Sequence, residues 1–373
     1  MGRGADKVSG WLNAGVDFGI SVWKELEHGE IRRTLSRDLR ELYDFYLDEE
    51  RRRQLAGMKR FKRWVRVAWW ILVSVVHKLP RARRFLLVAA LVCALLGDFK
   101  VSQGTVSVSF NFYPLAVLGL LTVLMLELKD KLLARDELEV GRAVQLSLMP
   151  EGAPKIPGWE AWLHTHPAND VGGDLVDCVQ VADSRWGLVL GDVSGKGLGA
   201  ALLMAKLQAT IRALAWGSVS LAELGGKVNY ILHRDGLSGR FATLLYLEVS
   251  PSTGRVRVLN AGHMPPIVLG ADGVRSLPPV ARPLGAFADA AYTEQALDLA
   301  PGELLVAYSD GLTDARNEAG EFFGEEGLQA LLPRLRGLSA SEAGELIRDA
   351  AARFVGDARP ADDLSLVTLR RAP

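Results

Sequence analysis

Residues 186–216 read WGLVLGDVSGKGLGAALLMAKLQATIRALAW, and three segments follow one another there. An apolar strand at 186–192 ends on an aspartate. The glycine-rich turn Gly191-Asp192-Val193-Ser194-Gly195-Lys196-Gly197 comes next, and a helix over 197–216 follows it. Working outward, the same alternation predicts strands at 159–166, 175–182, 241–249, 255–260, 265–269, 303–309 and 364–370. Helical spacing predicts helices at 220–234, 324–333 and 340–354. Ser250-Pro251-Ser252-Thr253-Gly254 marks a turn between two of the strands. Strands in hairpin-like pairs, with helices in consecutive pairs, predict an α+β sandwich with mostly antiparallel sheets.

Of the 373 residues, 49% are hydrophobic and 24% charged, enough apolar material for a packed core. Formal net charge is zero, so the whole-chain balance gives no pointer to nucleic acid. Two cysteines, Cys93 and Cys178, suggest neither a disulfide framework nor a zinc site, which fits a reducing compartment. No cleavable signal peptide is evident, and Asp6 stands where a myristoylation motif needs Ser or Thr.

Composition divides the chain near residue 128. Residues 1–80 read as a helical, basic and amphipathic region. Ile31, Leu35, Leu39, Leu42 and Tyr46 recur at helical spacing within a helix expected over 31–66. Arg51, Arg52, Arg53, Lys59, Arg60, Lys62, Arg63 and Arg66 then interleave with Leu55, Met58, Phe61 and Val65. The apolar run Val67–Val76, with Trp69 and Trp70, is too short to span a bilayer and suits a membrane interface. A solvated helix packed on a neighbour is the alternative.

Residues 81–127 hold two further apolar stretches, Phe85–Gly97 and about Phe110–Leu126, with basic residues on their outer flanks. That charge pattern favours a transmembrane hairpin with both ends cytoplasmic over a buried helical pair in a soluble dimer. The expected location is the cell inner membrane, with the C-terminal domain in the cytoplasm. Residues 128–150 read as a linker helix whose face of Leu128, Leu132, Leu138 and Val144 suits a homodimer seam, and Pro150, Pro154 and Pro157 stop it.

Acidic residues stand at strand ends or in glycine-flanked turns at Asp174, Asp192, Asp310 and the pair Asp362-Asp363. Taken singly, each is ordinary turn chemistry. Brought to one sheet edge, such carboxylates repel one another unless a cation neutralises them. Oxygen ligands suit Mg²⁺ or Mn²⁺, and a pair of such ions is suited to hydrolysis of a phosphate ester.

The order of motifs across residues 138–371 resembles the SpoIIE/RsbU-like bacterial branch of the PPM (type 2C) metal-dependent serine/threonine protein phosphatases. The resemblance rests on Gln145-Leu148-Met149-Pro150, Asp170-Val171-Gly172-Gly173-Asp174, the Gly191–Gly197 turn and Asn260-Ala261-Gly262-His263. It continues through Pro283-Leu284-Gly285, Tyr308-Ser309-Asp310-Gly311-Leu312, Phe323-Gly324 and Asp362-Asp363-Leu364-Ser365. It implies an α-β-β-α sandwich phosphatase domain, placed at 151–373; the residue pattern before it is read as an all-helical, membrane-associated region.

The resemblance also implies two Mn²⁺ or Mg²⁺ ions. Asp192 corresponds to the carboxylate bridging both, with the Val193 carbonyl and Asp174 on the second metal and Asp310 and Asp362 on the first. Asp363 is the secondary candidate beside Asp362, and Asp192 and Asp310 are the expected catalytic residues. Asp177 supports its turn, and His263 reads as a structural turn histidine. The implied substrate is a phosphoserine or phosphothreonine on a STAS-type anti-sigma-factor antagonist in a partner-switching pathway. A catalytically inactive membrane-tethered binding module and a small-molecule phosphatase stay open as alternatives. A diguanylate cyclase reading of Gly172-Gly173-Asp174 fails because Leu175-Val176 follows instead of Glu-Phe. A P-loop reading of Gly191–Gly197 fails on spacing.

Overall fold

A computed structural model describes residues 53–55, 58–103, 106–150, 153–236, 239–251, 253–278 and 282–372. Most of the helix expected over 31–66, including Ile31 to Tyr46 and Arg51-Arg52, lies outside them. The chain divides into two compact units, residues 1–131 and 132–373.

In the first unit, α1 (Arg60–Lys78) and α2 (Arg81–Leu96) lead into a two-stranded antiparallel hairpin, β1 (Asp98–Gln103) and β2 (Val106–Asn111). The region is therefore not all-helical. Val106-Ser107-Val108-Ser109-Phe110 alternates with period two, which a helix cannot use and a strand can. Helix α3 (Tyr113–Leu148) begins where the Asn111 side chain accepts the Tyr113 amide at 3.0 Å. The second apolar stretch and the expected linker helix are thus one continuous element. Within this unit α2 and the start of α3 run antiparallel. Arg83 bridges Glu127 (2.7 Å) and Asp130 (2.6 Å) at one end. Midway, a Cβ on Gly119 would come within 2.8 Å of the Ala90 Cβ, so only glycine permits that approach.

The second unit carries β3 (Lys155–Ile156), β4 (Trp159–His166), β5 (Leu175–Ala182), β6 (Arg185–Val193), α4 (Leu198–Ala215) and α5 (Leu221–Asp235). It continues with β7 (Ala242–Val249), β8 (Arg255–Ala261), β9 (Ile267–Gly270), β10 (Gly273–Ser276), β11 (Glu294–Asp298) and β12 (Leu304–Tyr308). The last elements are α6 (Asp310–Thr313), α7 (Gly324–Leu335), α8 (Ala340–Val355) and β13 (Leu364–Arg371). One sheet has the order β10-β9-β12-β13-β4-β3 and the other β11-β8-β7-β6-β5, and the named strand pairs are antiparallel.

Period-two alternation explains the layers. On β6, Leu188 and Leu190 enter the core between the sheets, while Val189 and Val193 enter the core under α4 and α5. On β12, Leu305 and Ala307 face the other sheet, and Leu304, Val306 and Tyr308 pack with α7 and α8. Both faces of each sheet are buried, giving helix, sheet, sheet and helix layers. Ser220 caps α5 by accepting the Glu223 amide, and Ser339 with Glu342 forms a capping box on α8.

Candidate metal centre

Sheet register brings the aspartates together. Leu175 on β5 pairs with Gly191 on β6, so Asp174 and Asp192 stand side by side at one edge of the five-stranded sheet. Tyr308 on β12 pairs with Leu366 on β13, which sets Asp310, just past one strand, near Asp362 and Asp363, just before the other. Ser309 locks the second pair of ends. Its amide donates to the Ser365 carbonyl and its hydroxyl to the Asp363 carbonyl, and it accepts the Ser365 amide, at 3.0, 3.1 and 3.0 Å. A Cβ on Gly311 would collide with the Asp363 carbonyl, so the turn after Asp310 needs glycine.

Asp363 ties the two sheets to each other at this edge. It is buried, and its carboxylate accepts the amides of Ala168 (2.8 Å), Gly173 (2.6 Å) and Asp174 (3.4 Å). Both of its oxygens are therefore committed to the loop that carries Asp174. Its neighbour Asp362 is more open and pairs with Lys196 at 3.2 Å, while Lys196 also donates to the Ala361 carbonyl at 2.7 Å. On the other side, Gly173 lies so close to the end of β6 that a Cβ would meet the Val193 carbonyl at 2.9 Å and Asp192 Oδ1 at 3.7 Å. The Val193 carbonyl and the Asp192 carboxylate thus face the same turn.

Apart from Lys196 at Asp362, the electrostatics of this cluster are those of carboxylates crowded together. Burial first, then Asp192 and Asp363, push the Asp174 carboxyl well above the usual range. The Ser309 and Ser365 hydroxyls lie near Asp174 but donate to the Asp363 carbonyl and to Thr165, and Asp174 Oδ2 is buried without a hydrogen bond. Burial followed by repulsion from Asp310, Asp362 and Asp363 raises Asp192 to about 6. Asp310 is raised by burial and by Asp362. An orphaned buried oxygen and mutually repelling carboxylates are what a divalent cation relieves. Among the described residues, no three His, Cys, Asp or Glu side chains form a ready-made cage. Mg²⁺ needs none, because it keeps several waters and takes one or two carboxylates. The donor set therefore fits Mg²⁺ or Mn²⁺.

Other singled-out residues have different work. Asp177 is buried and held by Arg212 of α4 at 2.7 and 2.8 Å, an inter-element ion pair. His263 is buried; its amide donates to Asn260 Oδ1, and its Nδ1 meets the Thr243 hydroxyl at 2.7 Å. Burial lowers it to about 4, so it is neutral near pH 7 and is not the imidazolium that a general acid would need. A cavity of about 440 Å³ opens beside Gly311 and Asp362, with His164, His166 and Arg348 on its wall.

Sequence reasoning missed Gln145. This buried side chain of α3 donates to the Gly172 carbonyl (2.9 Å) and accepts the Gly172 amide (3.2 Å), one residue from the Asp192 approach. The signal was available in the Gln145–Pro150 motif, but nothing in a helical pattern says which polar residue turns inward. Gln208 of α4 donates to the Leu148 carbonyl at 2.6 Å, a second tie to the end of α3.

Residues 182–372 match the family described as Stage II sporulation protein E (SpoIIE). The chain belongs to the SpoIIE family. This is the SpoIIE/RsbU branch of the PPM phosphatases. Protein IcfG of Synechocystis sp. is 28% identical over 279 residues, covering 67% of this chain and 44% of that protein. Phosphoserine phosphatase RsbU of Bacillus subtilis is 26% identical over 239 residues, covering 64% of this chain and 70% of that protein. This chain thus spans less than half the length of IcfG. Among solved structures, the SiaA-PP2C domain of Pseudomonas aeruginosa has a TM-score of 0.56 at 20% identity, over 65% of this chain and 98% of that one. The RsbU and RsbW domains of a Mycobacterium tuberculosis protein give 0.50 at 23%, over 59% and 61%. These two likenesses carry the fold of the SpoIIE-family unit.

Proposed function

We propose that this SpoIIE-family chain is a metal-dependent protein-serine/threonine phosphatase acting on a phosphorylated regulatory protein of the STAS-type antagonist class, within a partner-switching pathway. The observation that carries the reading is the convergence of Asp174, Asp192, Asp310 and Asp362, with Asp174 Oδ2 buried and unpartnered. Asp192, Asp174 and the Val193 carbonyl would hold one ion, and Asp310 and Asp362, with Asp192, would hold a second. Asp363 is assigned as a brace for the Asp174 loop. When bound, Mn²⁺ or Mg²⁺ supplies an activated water and charge stabilisation for phosphate-ester hydrolysis. The chain's own residues fix the carboxylates from two sheets at one edge and leave an open cavity beside Asp362 for the side chain bearing the phosphate.

The membrane part of the proposal rests on the α2–α3 pair. Phe85, Leu95, Leu118, Leu121, Leu124 and Met125 are exposed on it, an apolar surface unlike that of a soluble domain. At 16 residues α2 is about 24 Å long, short of a ~30 Å hydrocarbon core. Among the described residues, one helix, α4, is long and apolar enough to cross a membrane, and its Met204, Leu207 and Ile211 are instead buried in the core. The homodimer proposal rests on exposed Leu128, Leu132, Val140 and Val144 of α3.

The test is turnover of the full chain on a phosphoserine protein and on p-nitrophenyl phosphate, with Mn²⁺ and with chelator. Metal-dependent release from the protein substrate, lost in Asp192→Ala and Asp310→Ala, is the expected result. Activity on the small ester alone favours a small-molecule phosphatase. Inactivity on both, with metal bound, favours a binding module.

A further inference from the structure

Between Arg51 and Gly97 the sequence has twelve Lys or Arg and no Asp or Glu. Helix α1 sorts these charges. At 100° per residue, Trp64, Phe61, Val65 and Trp69 share an apolar arc of roughly 140°. Lys62, Arg63 and Arg66 lie on the remaining arc, and Lys59 stands just before the helix. The apolar arc is exposed: Phe61 by 77%, Trp64 by 69% and Trp69 by 61%. Met58, Phe61, Lys62, Val65, Arg66 and Trp69 line one open groove, so aromatic and cationic groups meet along its edge. Arg66 also lies over the Trp70 ring at 5.8 Å.

The far end of α1 is anchored. Arg84 of α2 donates to the carbonyls of Val76 (2.9 Å), His77 (2.8 Å) and Leu79 (3.3 Å). These are α1's C-terminal acceptors, and α2 is the first helix of the apolar pair. The basic, aromatic half of α1 is therefore held out from the foot of that pair.

We propose that α1 lies in the plane of a bilayer surface and selects anionic phospholipid headgroups, with Phe61, Trp64, Val65 and Trp69 entering the interface and Lys62 and Arg66 meeting lipid phosphates. This deepens the membrane reading above and rests on it. Charge complementarity chooses the occupant. An exposed aromatic arc of this width suits an acyl boundary, and a flank without acidic residues is repelled by cations and drawn to an anionic sheet. Each basic residue near such a surface is worth roughly fivefold in partitioning.

The full chain is reconstituted into vesicles of phosphatidylcholine alone or with phosphatidylglycerol, in both cases with lipid brominated near the headgroup. The tryptophan quenching lost in Trp64→Phe/Trp69→Phe isolates those two rings. That component is expected to be several-fold larger with phosphatidylglycerol. It should fall to the phosphatidylcholine level in Lys62→Glu/Arg66→Glu and in about 1 M salt, where the Debye length is ~3 Å. The milder Lys62→Gln/Arg66→Gln should fall partway, which separates a charge effect from misfolding. Quenching that ignores lipid charge and both charge variants overturns the proposal. So does salt-sensitive binding of a short DNA duplex, removed by the same variants, with no lipid quenching at these rings. Flotation of Lys62→Glu/Arg66→Glu with pure phosphatidylcholine at high salt reports the helix pair alone. If that is lost while charge-dependent quenching persists, the pair fails and α1 stands. The reverse pattern sinks α1 and keeps the pair.

Discussion

Gln145 pairs with both backbone groups of Gly172, donating to its carbonyl and accepting its amide. A side-chain amide here does what a neighbouring strand would do. It fixes the turn that presents Gly173 against Val193 and Asp174 beside Asp192. Gln145→Leu keeps the volume and strands two buried backbone groups, a cost of about 1–3 kcal/mol. The expected outcome is weaker Mn²⁺ affinity by about tenfold or more, with turnover recovered in excess Mn²⁺. Titrating activity against Mn²⁺ checks it, and an unchanged titration curve would remove the positioning role.

Asp362 and Asp363 are neighbours with different partners. Asp363→Ala leaves the amides of Ala168, Gly173 and Asp174 without their acceptor. Loss of charge-assisted bonds to buried amides costs about 2–4 kcal/mol, or on the order of 5–10 °C in Tm for a unit of this size. Asp362→Asn removes the charge facing Lys196 and keeps a carbonyl oxygen to accept the Asp363 amide (3.0 Å), so it should leave the Tm in chelator within about 2 °C. Thermal unfolding in chelator distinguishes them, and equal shifts would show that Asp363 is not the brace.

The carboxylate cluster makes the metal-free chain sensitive to pH. Asp192 is raised to about 6, and Asp174 and Asp310 are raised too. The folded state then holds protons more tightly than the unfolded chain. This contribution is complete below the ordinary carboxylate range near 4 and is lost as pH rises through about 6. In chelator, the Tm deficit of wild type against Asp192→Asn should therefore appear at pH ~7.5 and vanish near pH ~4, by on the order of 2 kcal/mol. Mn²⁺ should raise the wild-type Tm more at pH ~7.5 than at pH ~5, and Asp192→Asn should blunt that rise. A deficit that grows toward acid pH would contradict the cluster's reading.

The sandwich was legible because its inner strands alternate. Leu188-Val189-Leu190 on β6 and Leu304-Leu305-Val306-Ala307 on β12 fill cores on both faces, and such runs leave a clear record in sequence. Edge strands do not. β10 and β11, largely exposed or half-buried, carry no apolar pattern and were missed, as was β3, which is two residues long. The segment between the two apolar stretches was given no strand, although residues 106–110 alternate like one. The aspartates were legible as a set, through their glycine-flanked turns. Their division of labour was legible only through the resemblance, which put Asp362 ahead of Asp363. Consecutive residues in extended chain point to opposite sides, so one of Asp362 and Asp363 had to turn from the shared edge, and sequence does not record which. Gln145 was hidden for a related reason: a buried polar residue on a helix is defined by the backbone it meets.

That backbone contact bears on how activity could be governed. Between Leu128 and Gln145, α3 is unbroken, and its end is tied to the turn before Asp174 through Gly172 and to α4 through Gln208. α4 begins five residues after Val193, so the helix and the Asp192 turn share a backbone segment. A rotation of α3 transmitted through Gln145 moves the loop carrying Asp174, and small misplacements at a catalytic centre cost large factors in rate. Insertion of one to four alanines after Arg135 turns the preceding residues by about 100° each relative to Gln145 while leaving the Gln145 contacts in place. A transmitter predicts turnover that varies with helical phase, lowest near two inserted residues and recovering toward four, at saturating Mn²⁺. A spacer predicts a flat series. Unchanged Tm of the catalytic unit along the series would show that any variation lies in coupling rather than in folding.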